Sequence, residues 1–215
     1  MVVQSANIKE QFSTPLGIIN CGLNNSGHND LVETKKYENG QSKIFITIGH
    51  QVEIISFIIR LPLYNGDSIT EGRGWILRIE KKTDVDELIE AYCLLNSQLR
   101  DIQFDSATGE YLDAIQVDSL EWTLHIGTED GEALSLRAES DDWFPSRLKN
   151  NLDFYQSITE MKQNGFVTKI PHLKKGEKIH IQYLVAYDRS DEHKITTWLA
   201  VDESKRNLEN WVGLW

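Results

Sequence analysis

"IHIQYLVAYD", residues 179–188, decides how the rest of the chain is read. Ile179, Ile181, Tyr183, Val185 and Tyr187 alternate, which is the period of a β-strand. His180, Gln182, Leu184 and Ala186 fill the other face. A solvated face would not carry Leu and Ala, and a plain core face would not carry His and Gln. Polar groups set among apolar ones are what the wall of a ligand cavity shows. The ordinary reading of His180 is a partly buried side chain with one hydrogen-bond partner.

Beyond this strand comes a polar knot, Asp188, Arg189, Ser190, Asp191, Glu192 and His193. Adjacent side chains in a turn splay apart and do not converge on a metal, so the knot reads as a solvated hairpin tip. "KITTWLAVD" (194–202) then alternates at Ile195, Thr197, Leu199 and Val201 and reads as the returning strand. That pairing would put Trp198 near Gln182 or Leu184.

The same period recurs upstream. "SKIFITI" (42–48) follows Asn39-Gly40, a strong hairpin signal. "VEIISFIIRLPL" (52–63) is apolar on both faces, as a covered strand is. "RGWILRIE" (73–80) puts Trp75, Leu77 and Ile79 on one face. In 113–127, Leu120, Trp122, Leu124 and Ile126 share one face, and Glu121, Thr123 and His125 the other. Asp130-Gly131 reads as a turn into a strand, "ALSLRAE".

Three segments break this period. In "TDVDELIEAYCLLNSQLRDI" apolar positions 85, 88, 89, 92, 95 and 99 fall at helical spacing, with Asp84 and Asp86 suited to a helix N-terminus. The Asp84-Val85-Asp86 pair lacks the spaced ligands and glycine of a calcium loop. Pro145 can open a second helix that Gly165 closes. Leu208, Trp211, Val212 and Trp215 recur as a helical stripe. The expected fold is mainly β: an antiparallel β-sandwich or flattened barrel with two or three peripheral helices, at about 84–100, 145–163 and 204–214. With no repeat or linker, 1–215 reads as a single globular domain.

Composition narrows the function. The chain has 215 residues and a formal charge of −11. Its basic residues are scattered in pairs, Lys35-Lys36, Lys81-Lys82 and Lys174-Lys175. Nucleic-acid binding and docking on an anionic membrane both need clustered cations, so neither is expected. No run approaches the roughly 20 apolar residues of a membrane helix. The N-terminal segment lacks the basic start and apolar block of a signal peptide. Cys21 and Cys93 have no motif spacing and read as buried thiols of a reducing compartment, so a soluble, cytoplasmic protein is expected.

Nucleophile-elbow, zinc-protease, phosphate-loop, dinucleotide-binding and C-x-x-C signatures are all absent. No metal and no cofactor are expected. What remains is a ligand- or partner-binding module for a small molecule or carbohydrate. "ESDDWFPS" offers Trp143 and Phe144 beside two carboxylates, the mix that holds sugar rings in many β modules. Both aromatics could instead plug a sheet edge. Trp198 and Gln182 join them as ligand-binding candidates. The alternative is an isomerase, cyclase or lyase whose cavity uses His180 and His125 as acid–base groups with the Glu121 carboxylate. A third reading is an assembly protein: the Trp211 and Trp215 stripe either docks on its own domain or joins a second copy into a homo-oligomer.

Overall fold

The computed structural model describes residues 8–25, 27–59, 68–151, 157–190 and 195–214. Two antiparallel sheets account for most of them. The strands are β1 (Lys9–Thr14), β2 (Gly17–Asn25), β3 (Asp30–Tyr37), β4 (Gly40–Ile46), β5 (His50–Ile58), β6 (Glu71–Lys81) and β7 (Ile89–Asn96). They continue as β8 (Gln103–Ser106), β9 (Leu112–Asp118), β10 (Trp122–Glu129), β11 (Thr159–Lys162), β12 (Gly165–Lys169) and β13 (Lys178–Arg189). The small sheet has the order β1-β2-β7-β12-β11, and the large one β3-β4-β5-β6-β13-β10-β9-β8. Three helices are α1 (Gly131–Glu139), α2 (Thr196–Val201) and α3 (Lys205–Val212). The sandwich expected from the alternating strands is therefore present.

One cluster fills the space between the sheets. Phe12, Cys21, Cys93 and Phe166 come from the small sheet, and Trp75, Leu77, Ile126, Ile181 and Tyr183 from the large one. Each such side chain contributes roughly 1.5–3 kcal/mol by leaving water. Cys21 and Cys93 stand directly opposite each other on β2 and β7, both buried and both free thiols. A second cluster lies on the outer face of the large sheet. There Ile55, Ile76, Leu184 and Ala186 meet Val201 of α2 and Leu208 and Val212 of α3. The long strand β13 is thus covered on both sides, and its even-numbered residues face the helices.

Four local expectations fail, each for a physical reason. The helix expected at 84–100 is strand β7, paired with β2 and β12. Ile89, Ala91, Cys93 and Leu95 also fit a period of two, and all are buried. The helical set was completed by Val85, Leu88 and Leu99, which are exposed. Filling the centre of the small sheet overrides local propensity. The second failure is "ALSLRAE", which is the body of α1. Asp130 is a helix cap and not a hairpin turn: its carboxylate accepts from the Ala133 amide at 2.8 Å. Asp serves either role equally well. Third, 194–202 contains α2 and not a returning strand; Thr196, Thr197, Ala200 and Val201 are buried, at helical spacing.

Last, the helix expected at 145–163 is cut short. A 3-10 turn covers Ser146–Asn151, and Thr159–Lys162 is β11. Gly165 opens β12 with φ +146°, where an added Cβ would lie 2.0 Å from the Cys93 carbonyl oxygen. The C-terminal helix stands as expected. Ser204 caps it, accepting from the Asn207 amide, and Gly213 ends it in the left-handed conformation. Its stripe packs on its own sheet through Leu208 and Val212, with Trp211 partly buried beside them. Trp215 lies outside the described residues, as do Asp191, Glu192 and His193 of the polar knot.

Candidate functional site

The helices do not seal the outer face of the large sheet completely. Between α1 and the segment joining α2 to α3 a cleft of about 490 Å³ remains. Gln182 of β13 and Glu129, at the end of β10, line it from the sheet. Arg137 lines it from α1, and Asp202, Glu203 and Lys205 from the other side. The turn between β8 and β9 supplies Glu110 and Tyr111.

Ion pairs hold a lining cation on each side. Glu129 is buried and accepts from the Arg137 guanidinium at 2.8 Å. Burial pushes the Glu129 carboxyl up, against the opposing pull of Arg137. The same guanidinium donates to the His180 carbonyl at 2.7 Å. Lys205, the first residue of α3, is buried and reaches Asp142 at 2.9 Å and Glu209 at 3.1 Å. Such pairs cost desolvation and are stabilising mainly because every partner is kept. Arg137 and Lys205 are therefore both already paired.

Three lining acids, Glu110, Asp202 and Glu203, form no ion pair with a described residue, although the Glu203 carboxylate accepts from the Asn207 side-chain amide at 2.7 Å. Burial pushes the Asp202 and Glu203 carboxyls up. The Glu203 carbonyl accepts from Gln182 Nε2 at 2.8 Å, which fixes the amide across the cleft floor. Tyr111 sits at the mouth with its side chain half exposed and its backbone at φ +66°. That conformation is an outlier for a bulky residue, and such strain collects at functional sites.

The residues expected from sequence are not gathered in one place. His180 and His125 share the outer face of the sheet, but His125 stands opposite Ala186. Six residues of strand separate them, roughly 20 Å. His125 lies under α2, with Nδ1 2.9 Å from the Thr197 hydroxyl. Burial lowers its pKa to about 4, the nearby Asp118 pulling weakly upward. His180 is wholly enclosed, with Nε2 3.1 Å from Gln182 Oε1. Because the Gln182 amide nitrogen donates to Glu203, its oxygen faces His180, and Nε2 must carry the proton. Burial, then the Arg137 and Arg78 charges, hold this imidazole far below its ordinary pKa. Neither imidazole lines the cleft.

Glu121 is exposed and pairs with Arg189 at 3.0 Å, on the far end of β10. Phe144 belongs to the core between the sheets, only 1% exposed, with the Arg137 guanidinium over its ring. Trp143 lines a separate hollow of about 380 Å³ with Arg147, Glu177 and Lys178. Its ring already meets two cations, Arg78 at 5.0 Å and Lys178 at 5.1 Å. Of the expected residues, Gln182 lines the cleft and Trp198 supports it from behind. The sequence reading missed Tyr111, Glu129, Arg137 and Lys205. One signal was there: Leu134, Arg137 and Ala138 sit at helical spacing after Asp130, which places Arg137 on an inward helix face.

Among the described residues no group of three or more His, Cys, Asp or Glu side chains could hold a metal ion. No helix among them is long and apolar enough to cross a membrane. No protein-family model matches the chain, and no curated protein matches it in sequence. Among solved structures, a chain named "Putative kojibiose phosphorylase from human microbiome" is similar over 95% of this chain, with 13% identity and a TM-score of 0.44. This chain spans 30% of that one's length.

Proposed function

We propose that the chain is a binding module whose cleft between α1 and the α2–α3 segment holds a small hydroxyl-rich molecule of the carbohydrate class. One observation carries the reading: Tyr111 is held half exposed at the mouth, in a strained backbone, beside Glu110, Asp202 and Glu203. An aromatic face stacks on a sugar ring, and carboxylates outside any ion pair, Asp202 foremost, accept from its hydroxyls. Arg137 and Lys205 are paired, which leaves Arg206 against the Glu110, Asp202 and Glu203 carboxylates, a balance that disfavours an anionic ligand. A panel of mono- and oligosaccharides screened by calorimetry tests it. Binding to the wild type, lost in Tyr111→Ala and kept in Tyr111→Phe, is the expected result. A panel that yields no binder, or one bound equally by Tyr111→Ala, overturns it.

A second reading rests on the raised carboxyls. Asp202 and Glu203 are both pushed toward the range where a carboxyl can give up and take back a proton. In an acid–base enzyme they, and not His125 or His180, would act at the cleft. That reading requires turnover of a bound ligand, abolished in Glu203→Gln while binding survives.

A further inference from the structure

The large sheet has one long open edge. β3 spans eight residues, against four in β8 at the opposite edge. No described residue pairs with its outer side, and every side chain from Asp30 to Lys36 is exposed. Open edges are normally blunted, because their free amides and carbonyls template pairing with another chain. A bulge between Leu31 and Glu33 blunts one end of β3. The run Glu33–Tyr37 beyond it is regular.

The hydrogen-bonding phase of that run follows from its hairpin. Tyr37 pairs with Gly40 across a two-residue loop, Glu38-Asn39. The pair closing a two-residue loop is hydrogen-bonded, and bonded pairs then alternate. Tyr37, Lys35 and Glu33 therefore direct their backbone groups to β4, whereas Lys36 and Thr34 direct theirs outward. An antiparallel partner related by a twofold axis normal to the sheet must keep the two faces continuous. Opposed residue numbers then have an even sum. Placing Thr34 opposite the Thr34 of a second copy satisfies this and makes their outward groups a bonded pair.

In that register Glu33 falls opposite Lys35 of the second copy, and Lys35 opposite its Glu33. Both are non-hydrogen-bonded pairs, in which side chains approach most closely. Within one chain these two groups already share a face, at 3.7 Å. Toward the bulge the half-exposed Val32 and Leu31 extend the contact. We propose that β3 is the edge through which two copies of this chain associate, joining two large sheets into one antiparallel sheet about a twofold axis at Thr34.

Charge reversal tests the proposal. Sedimentation should show a wild-type dimer at low ionic strength across the micromolar range. Glu33→Lys leaves only lysines at these positions and Lys35→Glu only glutamates, so each variant should weaken dimerisation about tenfold or more. Mixing the two variants, or combining both changes in one chain, should restore it. Thr34→Pro removes the central outward amide, leaves the ladder to β4 intact, and should give a monomer with the wild-type circular dichroism. A wild type that is monomeric throughout overturns the proposal. So does a dimer that none of these substitutions affects.

Discussion

The indole Nε1 of Trp198 donates to the Ala107 carbonyl at 2.7 Å, and this bond ties α2 to the turn that carries Tyr111. Gly109 lies beneath the same ring, which would stand 2.7 Å from an added Cβ. Trp198→Phe keeps the packing and removes the bond. It should cost about 1 kcal/mol in urea unfolding and weaken ligand binding by loosening Tyr111. Gly109→Ala must push the ring away and should cost about 1–3 kcal/mol. If both variants match the wild type in stability, the turn is not held from behind in this way.

Acid should destabilise the protein through histidines that fold in their neutral form. Burial lowers the pKa of His50, His125 and His180. A group whose folded pKa is depressed favours folding above its unfolded value, near 6.5, and loses that contribution as pH falls toward the folded value. For His125 the window runs from about 6.5 to about 4 and corresponds to about 3 kcal/mol. The raised carboxyls act in the opposite sense, so the comparison is with His125→Gln. Wild-type stability should fall relative to that variant between pH 7 and pH 4. Parallel curves would show that His125 titrates normally.

Asp113 gives the reverse sign. Burial and the neighbouring Asp130 charge raise its pKa to about 6. A raised carboxyl costs stability once ionised, so the cost is full above pH 6 and disappears below the unfolded value near 4. Asp113→Asn mimics the protonated state. Solvent screening of this partly exposed carboxyl reduces the effect, so the variant should stabilise the protein at pH 7.5 by about 1 kcal/mol, with the gain vanishing near pH 4. Thermal unfolding at the two pH values checks this; a variant less stable than wild type at both refutes it.

Strand alternation made the sandwich legible because each face of a strand carries its own burial requirement. It worked for β6 and β13, each of which carries its full alternating pattern in one continuous segment. It failed where a segment's partners are remote. Glu87 reads as a residue of a helix first turn. In the fold its buried carboxylate accepts from the Gly49 amide and the Thr47 hydroxyl, and lies 2.9 Å from His50 Nδ1. Asn25 reaches its other oxygen at 2.8 Å. Nothing within fifteen residues of Glu87 signals this. The cleft was illegible for the same reason: Tyr111, Glu129, Arg137 and Glu203 come from four separate segments. Gln182 alone was found, because its odd company on one strand face is a local signal.

The Glu87 knot should be a stability determinant. Desolvation raises its pKa, but the four hydrogen bonds outweigh it and hold the carboxyl below its usual range. The stabilisation is present above the unfolded pKa and lost as pH falls through the folded one. Glu87→Ala orphans the Gly49 amide and takes one acceptor each from Thr47, Asn25 and His50, and should cost about 3–5 kcal/mol, read from the urea midpoint. A loss below 1 kcal/mol would mean water replaces the carboxylate freely.

The C-terminal helix should be needed for the fold, since it covers the outer face of β13. Leu208 and Val212 of α3 are fully buried against a cluster that includes Ile76 and Leu184. Leu208→Ala leaves a cavity there and should cost about 2–5 kcal/mol. Arg78 adds a polar tether from the sheet, 2.6 Å from the Glu209 carboxylate. Arg78 also lies over the Trp143 ring, so removing α3 uncovers a charge as well as an apolar face. Truncation after Ser204 should therefore expose a dye-binding hydrophobic surface and lower the melting temperature. A truncated chain that keeps its melting temperature but changes its mass in solution would instead make α3 an assembly element.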